Sequence, residues 1–235
     1  MDSSNTLFWT FAYDFIRGPM VWVAFAVFFG GTLFQIFKFL SFTKQQTISK
    51  LTPGPGRFIP KRADNPKGTN KKDWALWLKL SIAGVNPFMT IVSTTFHVLL
   101  IVMPIFVLGH NILLDNAFGI SFFSLSESVS DSLTLIVIIC AAIFLYRRLF
   151  LGRVKAITTW EDYLFLFLAA APFLTGYLAY HQVLNYKLII SLHILSGEIM
   201  LMAVPFTKFV HMIYLVIFRF TVVSEYSLGK GDRTW

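Results

Sequence analysis

Charge is scarce in this chain. Only 14% of its 235 residues are Asp, Glu, Lys or Arg, where a soluble domain carries about a quarter. That shortage excludes an ordinary water-soluble fold. Cysteine is almost absent: Cys140 stands alone inside an apolar run. A single thiol excludes an intrachain disulfide, a CxxC metal site and a CxxCH site for covalent haem attachment. There is no internal repeat and no low-complexity tract. The opening "MDSSNTLFWTFAYDF" has no basic n-region and no small-residue cleavage site, so no removable signal peptide is expected. What the chain does have is apolar mass: 56% hydrophobic residues, with 26 phenylalanines. This composition belongs to the membrane class.

Five apolar segments reach the roughly 20 residues that a helix needs to cross a bilayer. They run over about 20–42, 88–114, 133–151, 163–181 and 187–220. Asn86-Pro87 suits the cap and first turn of the second. Thr159 and Asp162 suit the cap of the fourth. The first and second are separated by a long polar stretch, 43–87, rich in Pro, Gly and Lys. Its later part, with Trp74, Trp77, Leu78 and Leu80 around Lys79, reads as a short amphipathic helix lying in the membrane interface.

The formal charge of +8 is concentrated in particular loops, so it is a topology signal and not a nucleic-acid footprint. The 43–87 stretch carries Lys44, Lys50, Arg57, Lys61, Arg62, Lys67, Lys71, Lys72 and Lys79 against Asp64 and Asp73. Arg147, Arg148, Arg153 and Lys155 follow the third segment, and Arg219, Lys230 and Arg233 follow the fifth. The 115–131 loop has Asp115, Glu127 and Asp131 and no Lys or Arg. Because Lys and Arg stay cytoplasmic, the N-terminus is expected outside and the C-terminus in the cytoplasm.

Within the apolar segments histidine is the anomaly, because an ionisable side chain is costly in hydrocarbon. His97 and His110 lie in the second segment, and His193 and His211 in the fifth. On a continuous helix, eighteen residues make five whole turns and roughly 27 Å. His193 and His211 would then share a face, one near each membrane surface. The two segments run oppositely, so depth pairs His110 with His193 near the outer face and His97 with His211 near the inner face. Two His–His pairs at two depths suit two b-type haems, each iron taking one axial imidazole from either side. The thirteen residues between His97 and His110 separate them by about 140° on a straight helix. The pattern therefore needs a kink or wider turn, for which Pro104 is the expected source.

Other residues stay open between two roles. Gly109 and Gly197 either let a flat macrocycle approach or serve plain helix contact. Lys208 either snorkels to headgroups or meets a haem propionate. Arg147 and Arg148 either anchor the third segment or meet a propionate. Glu198 is a neutral, hydrogen-bonded carboxyl or part of a proton path. His181 is an interfacial residue or a quinone-site residue. Cys140 reads as a small buried apolar group.

"PFTKFVH" (Pro205 to His211) and "FHVLLIVMPIFVLGH" (Phe96 to His110) resemble the histidine-bearing segments of the respiratory nitrate reductase gamma subunit. That is a family of di-haem cytochromes b. The short chain is similar in kind to the cytochrome b subunits of transmembrane redox complexes of sulfate-reducing bacteria. The resemblance implies haem ligation by His97, His110, His193 and His211, and a menaquinone site near one haem. It also implies partners: a cytoplasmic iron–sulfur or heterodisulfide-reductase-like subunit, and a periplasmic multihaem cytochrome c.

The expectation is therefore an all-α membrane protein, a five-transmembrane-helix bundle forming one cytochrome b domain over 1–235. It would lie in the bacterial inner membrane as an electron-transfer subunit of an oxidoreductase complex. The contrasting expectation is a haem-free transporter or scaffold that uses its histidines for proton or metal handling.

Overall fold

The computed structural model of the chain describes residues 10–50, with side chains through 42, then 86–214 and Ile217. Most of the basic 43–87 stretch, its amphipathic part and the basic tail with Arg219, Lys230 and Arg233 lie outside the described residues. All regular elements among the described residues are helical. Five helices are long and apolar enough to cross a membrane: Thr10–Phe42, Pro87–Phe106, Glu127–Phe150, Trp160–Tyr180 and Tyr186–Ala203. The chain is an all-helical, multi-pass membrane protein.

The first crossing contains a π-helical turn, Ile16–Met20, with Pro19 inside it, and continues as α1 (Val21–Lys50). A proline in a helix removes one ladder hydrogen bond, and a local wider turn absorbs the misfit. The second crossing is α2 (Pro87–Phe106), capped as its first residues foretell. Asn86 accepts a hydrogen bond from the Met89 N–H, and Pro87 occupies the first turn. It is not continuous to residue 114. Val107 takes an extended conformation (φ −70°, ψ 132°), and a separate helix α3 (Leu108–Phe118) follows. The interruption thus falls three residues beyond Pro104. Gly119 ends α3 in the left-handed region, with φ 66°, where a residue without Cβ pays no steric penalty.

The third crossing, α4 (Glu127–Phe150), starts six residues earlier than its apolar run. Glu127 lies in its first turn and Arg147 and Arg148 in its last, a charge order that complements the helix dipole. A short α5 (Gly152–Lys155) leads to α6 (Trp160–Tyr180). At the start of α6, Asp162 accepts hydrogen bonds from the backbone N–H and hydroxyl of Thr159, at 2.9 and 3.1 Å.

The fifth segment departs most from expectation. Its long helix is α7 (Tyr186–Ala203); an irregular stretch and a 3-10 turn at Lys208–Val210 follow before helical residues resume at 211–214. Pro205 sits at this break and cannot continue a ladder. Thr207 restarts it, its hydroxyl accepting from the Phe209 N–H. The five-whole-turns geometry between His193 and His211 therefore does not hold, because no continuous helix joins them.

The described residues fall into two compact units, 10–17 with 86–197 and 18–50 with 198–214 and 217. In the first, α4 packs against both α2 and α6. The buried face of α2 repeats at Val92, Phe96, Leu99 and Met103, and Phe96 meets Phe144 of α4 edge-on at 5.3 Å. Opposite it, α4 buries small or branched groups, Val137, Cys140 and Ala141. Small residues permit the close backbone approach on which membrane helix packing relies. In the second unit, the Gln35 side-chain amide of α1 donates to the Pro205 carbonyl at 2.6 Å, and the Tyr214 hydroxyl donates to Gln35 at 3.0 Å.

Candidate functional site

His110 stands in the first turn of α3, just past the break. His193 stands in the middle of α7. Their ring planes are nearly parallel, at 18°, with centroids 5.9 Å apart. The chain separates them by 83 residues, so the fold alone creates the pair.

Each ring is oriented by one hydrogen bond. His110 Nδ1 lies 2.8 Å from the Pro104 carbonyl, and His193 Nδ1 lies 2.8 Å from the Pro172 carbonyl on α6. A carbonyl only accepts, so Nδ1 must carry the proton. The lone pair is then on Nε2. His97 and His211 follow the same rule. Nδ1 of His97 is 2.7 Å from the Ser93 carbonyl, and Nδ1 of His211 is 2.6 Å from the Lys208 carbonyl. A metal-ligating imidazole commonly donates its second N–H in this way, which sets its tautomer and strengthens its donor nitrogen.

His181 breaks the rule. Its Nε2, not Nδ1, is engaged, at 2.8 Å from an Asp131 carboxylate oxygen. The pair is about a third exposed, lies just past the end of α6, and has the Tyr177 ring at 4.4 Å. Next to it the Tyr180 hydroxyl donates to Glu127. The fifth histidine thus belongs to a surface polar cluster joining α4 and α6.

His97 and His211 belong to different units, each oriented within its own. A Cβ built on Gly109 or on Gly197 meets nothing within 4 Å, so both glycines border open space. Lys208 is exposed, and it touches the histidine question through its carbonyl. Arg147 is half-buried in the last turn of α4. Arg148 has a buried Nε without a hydrogen-bond partner among the described residues, and its carbonyl accepts from the Tyr163 hydroxyl. Glu198 is only 4% exposed, and neither of its carboxyl oxygens has a hydrogen-bond partner among the described residues. Cys140 is buried.

Two further residues shape the site without having stood out in the sequence. Pro172 supplies the carbonyl that orients His193. Gly176, one turn later on α6, lets that imidazole lie against the helix, since a Cβ there would stand 3.0 Å from His193 Cε1 and 3.1 Å from Nδ1. The available signal was "PFLTG", a proline and a glycine four apart inside an apolar segment, hence on one helix face.

As chemistry, the arrangement offers two imidazoles with Nδ1 committed to a carbonyl, which in the neutral ring leaves the lone pair on Nε2. A metal–imidazole bond is about 2 Å long, so one ion gripped from both sides sets ring centroids roughly 6 Å apart. The observed spacing fits such a bridge. No group of three or more His, Cys, Asp or Glu side chains converges among the described residues.

No family model matches the chain, and no solved structure matches it. A protein of Nitratidesulfovibrio vulgaris (strain Hildenborough), named simply "Protein", is 31% identical over 224 residues, covering 94% of this chain and 96% of its own. Identity of that extent over nearly all of both chains means that the chain belongs to the family of this Nitratidesulfovibrio protein.

Proposed function

We propose that the chain is a membrane di-haem cytochrome b subunit of a respiratory redox complex. It would carry electrons across the bacterial inner membrane between a periplasmic donor or the menaquinone pool and cytoplasmic partner subunits. The observation that carries this reading is the common orientation of four histidines. His97, His110, His193 and His211 all commit Nδ1 to a backbone carbonyl, which is the state an axial ligand needs. The 5.9 Å spacing of the His110 and His193 ring centroids supports the reading.

When bound, haem iron supplies one-electron redox chemistry. This chain's residues would do the rest. His110 and His193 grip one iron, and His97 and His211 the other. The carbonyls of Pro104, Pro172, Ser93 and Lys208 hold the rings in register. The apolar helices exclude water and so help set the potential. Lys208 and Arg147 are the cations available to propionates, and Gly109 and Gly197 leave space beside the ligands. The charge-free loop after α3 and the basic loops elsewhere support N-terminus out and C-terminus in. On that topology the His110–His193 haem is the outer one and lies nearest a menaquinone site, for which His181 and Glu198 are candidates. The basic cytoplasmic face would dock an iron–sulfur or heterodisulfide-reductase-like subunit, and the outer face a multihaem cytochrome c.

The test is spectroscopic. The purified chain is expected to show a b-type spectrum with two haems per chain. His193→Ala should remove one haem and His211→Ala the other. A folded but colourless preparation would refute the reading, and a single variant that strips both haems while the chain stays folded would refute the pairing.

A further inference from the structure

The break between α2 and α3 takes three consecutive carbonyls, those of Pro104, Ile105 and Phe106, out of the regular ladder, which resumes at Val107, in a segment that should lie in lipid. Every one of them is nonetheless satisfied. The Pro104 carbonyl accepts from His110 Nδ1 at 2.8 Å. The Ile105 carbonyl accepts from the Asn111 side-chain amide at 3.1 Å. The Phe106 carbonyl accepts from the Leu125 N–H at 2.9 Å, and the Val107 carbonyl accepts from the Asn111 N–H at 3.1 Å. Asn111 also accepts, through Oδ1, from the Phe122 N–H at 2.8 Å. Its side chain is 2% exposed, one of the few polar groups to be so deeply buried.

Three of these bonds are made or received by Asn111, the neighbour of a candidate ligand. In hydrocarbon no water stands ready to replace a missing donor. If the Asn111 amide is removed, the Ile105 carbonyl becomes an unsatisfied buried group. The cheapest repair is to re-form helix across Val107. A helix run straight through would rotate His110 by the misfit of the thirteen-residue spacing, and break its bond to Pro104. The broken state and the aim of His110 are thus one feature, and Asn111 holds it. Through Phe122 the same side chain ties the break to the loop between α3 and α4, and the Leu125 N–H reinforces that tie at the Phe106 carbonyl.

We infer that Asn111 is a positioning residue for His110: it stitches the α2–α3 break to the 119–126 loop and so fixes the direction of the His110 donor nitrogen. This inference rests on the di-haem reading above. It extends that reading to a residue with no contact to the iron, and makes the 119–126 loop a determinant of one haem and not of the other.

The decisive variant is Asn111→Leu, which keeps the branched shape and the number of side-chain heavy atoms but removes every hydrogen bond of the side chain. Haem transfer to added apomyoglobin, followed by absorbance, reads how firmly each haem is held. Loss of an outer-sphere support typically weakens retention roughly 10–100-fold. That loss is expected for one haem of the Leu variant, with a changed midpoint potential or spin state in whatever fraction remains. The second haem, kept at its parental potential, reports that the chain is folded. Asn111→Ala should behave the same way despite its smaller volume. Should the Leu variant fail to assemble, Asn111→Asp decides, because it keeps the acceptor for Phe122 and loses the donor to Ile105; retention between parent and Ala is expected. Parental retention and potential of both haems in the Leu variant, or in the Asp and Ala variants alike, would overturn the inference. A parental chain that binds no haem would instead overturn the reading on which it rests.

Discussion

Gly176 makes the sharpest demand on the geometry. A methyl group added there stands 3.0 Å from His193 Cε1 and 3.1 Å from Nδ1, against about 3.5 Å for a comfortable contact. The ring must therefore retreat from α6 by roughly 0.5 Å. The same ring is tethered to that helix by its 2.8 Å bond to Pro172, and a retreat of that size takes the bond past the usual limit of about 3.2 Å. Losing most of it costs about 0.5–1.5 kcal/mol. Replacing glycine by alanine inside a helix returns about 1 kcal/mol. The two nearly cancel, so Gly176→Ala should melt within about 1 kcal/mol of the parent. Yet the orientation of Nε2 changes, so, on the proposed di-haem reading, the absorption band and midpoint potential of one haem should shift while the other stays put. Gly176→Leu cannot be absorbed by a small retreat and should eliminate that haem. The assays are a reduced-minus-oxidised spectrum, a redox titration and a thermal melt on the same detergent-solubilised sample. Two haems at parental potentials in Gly176→Leu would refute the claim that His193 works from its seat against α6.

On the proposed di-haem reading, His181→Ala and Asp131→Asn should both leave the haem content unchanged, since that imidazole has committed Nε2 to a carboxylate. The pair is partly exposed, so the stability change should stay within about 1 kcal/mol, as read by thermal melting. Gln35→Leu removes the donor to the Pro205 carbonyl and the acceptor for Tyr214. It should cost roughly 1–3 kcal/mol in denaturant unfolding from micelles, with Tyr214→Phe costing less. Gly31→Ala would place Cβ 2.6 Å from the Pro205 ring, and a proline ring cannot swing aside. It should destabilise by about 1–3 kcal/mol, whereas Gly30→Ala, whose Cβ meets nothing, should be neutral or stabilising; equal melting of the two would refute the contact.

The crossings were legible because each is a long apolar run, and two helix starts were legible because caps are local chemistry. Asn86-Pro87 and Thr159 with Asp162 declare themselves within four residues, and both are present as read. The breaks were not legible at their true positions. Pro104 signals trouble in the second crossing, but the ladder fails at Val107, where Asn111 and the 119–126 loop can supply substitute hydrogen bonds. Where a helix breaks depends on where donors can be found for its carbonyls, and those donors come from elsewhere in the chain. The same limit defeated the eighteen-residue argument in the fifth crossing. Counting degrees per residue presumes an unbroken helix, and Pro205 removes that premise while leaving the depth pairing as a matter of topology. His110 and His193 come together through tertiary packing, which no local count could have established.

The prolines connect these observations. Pro104, Pro172 and Pro205 each lie inside or beside a membrane helix, and each has its carbonyl taken by a side-chain donor: His110, His193 and Gln35 respectively. A proline spoils the regularity of the helix near it, and in lipid the disturbed backbone must find its partners within the protein. A side chain that answers such a carbonyl is held by an interaction that has no aqueous competitor. For glutamine the result is a firm join between α1 and the chain beyond α7. For histidine the consequence is larger, because committing Nδ1 decides both the tautomer and the direction of Nε2. The two histidines that meet at 5.9 Å are the two held by proline carbonyls, one by a carbonyl six residues before it and one by a carbonyl on a neighbouring helix. The irregularities that made these helices hard to read from sequence are thus also what holds each of these two imidazoles by its Nδ1.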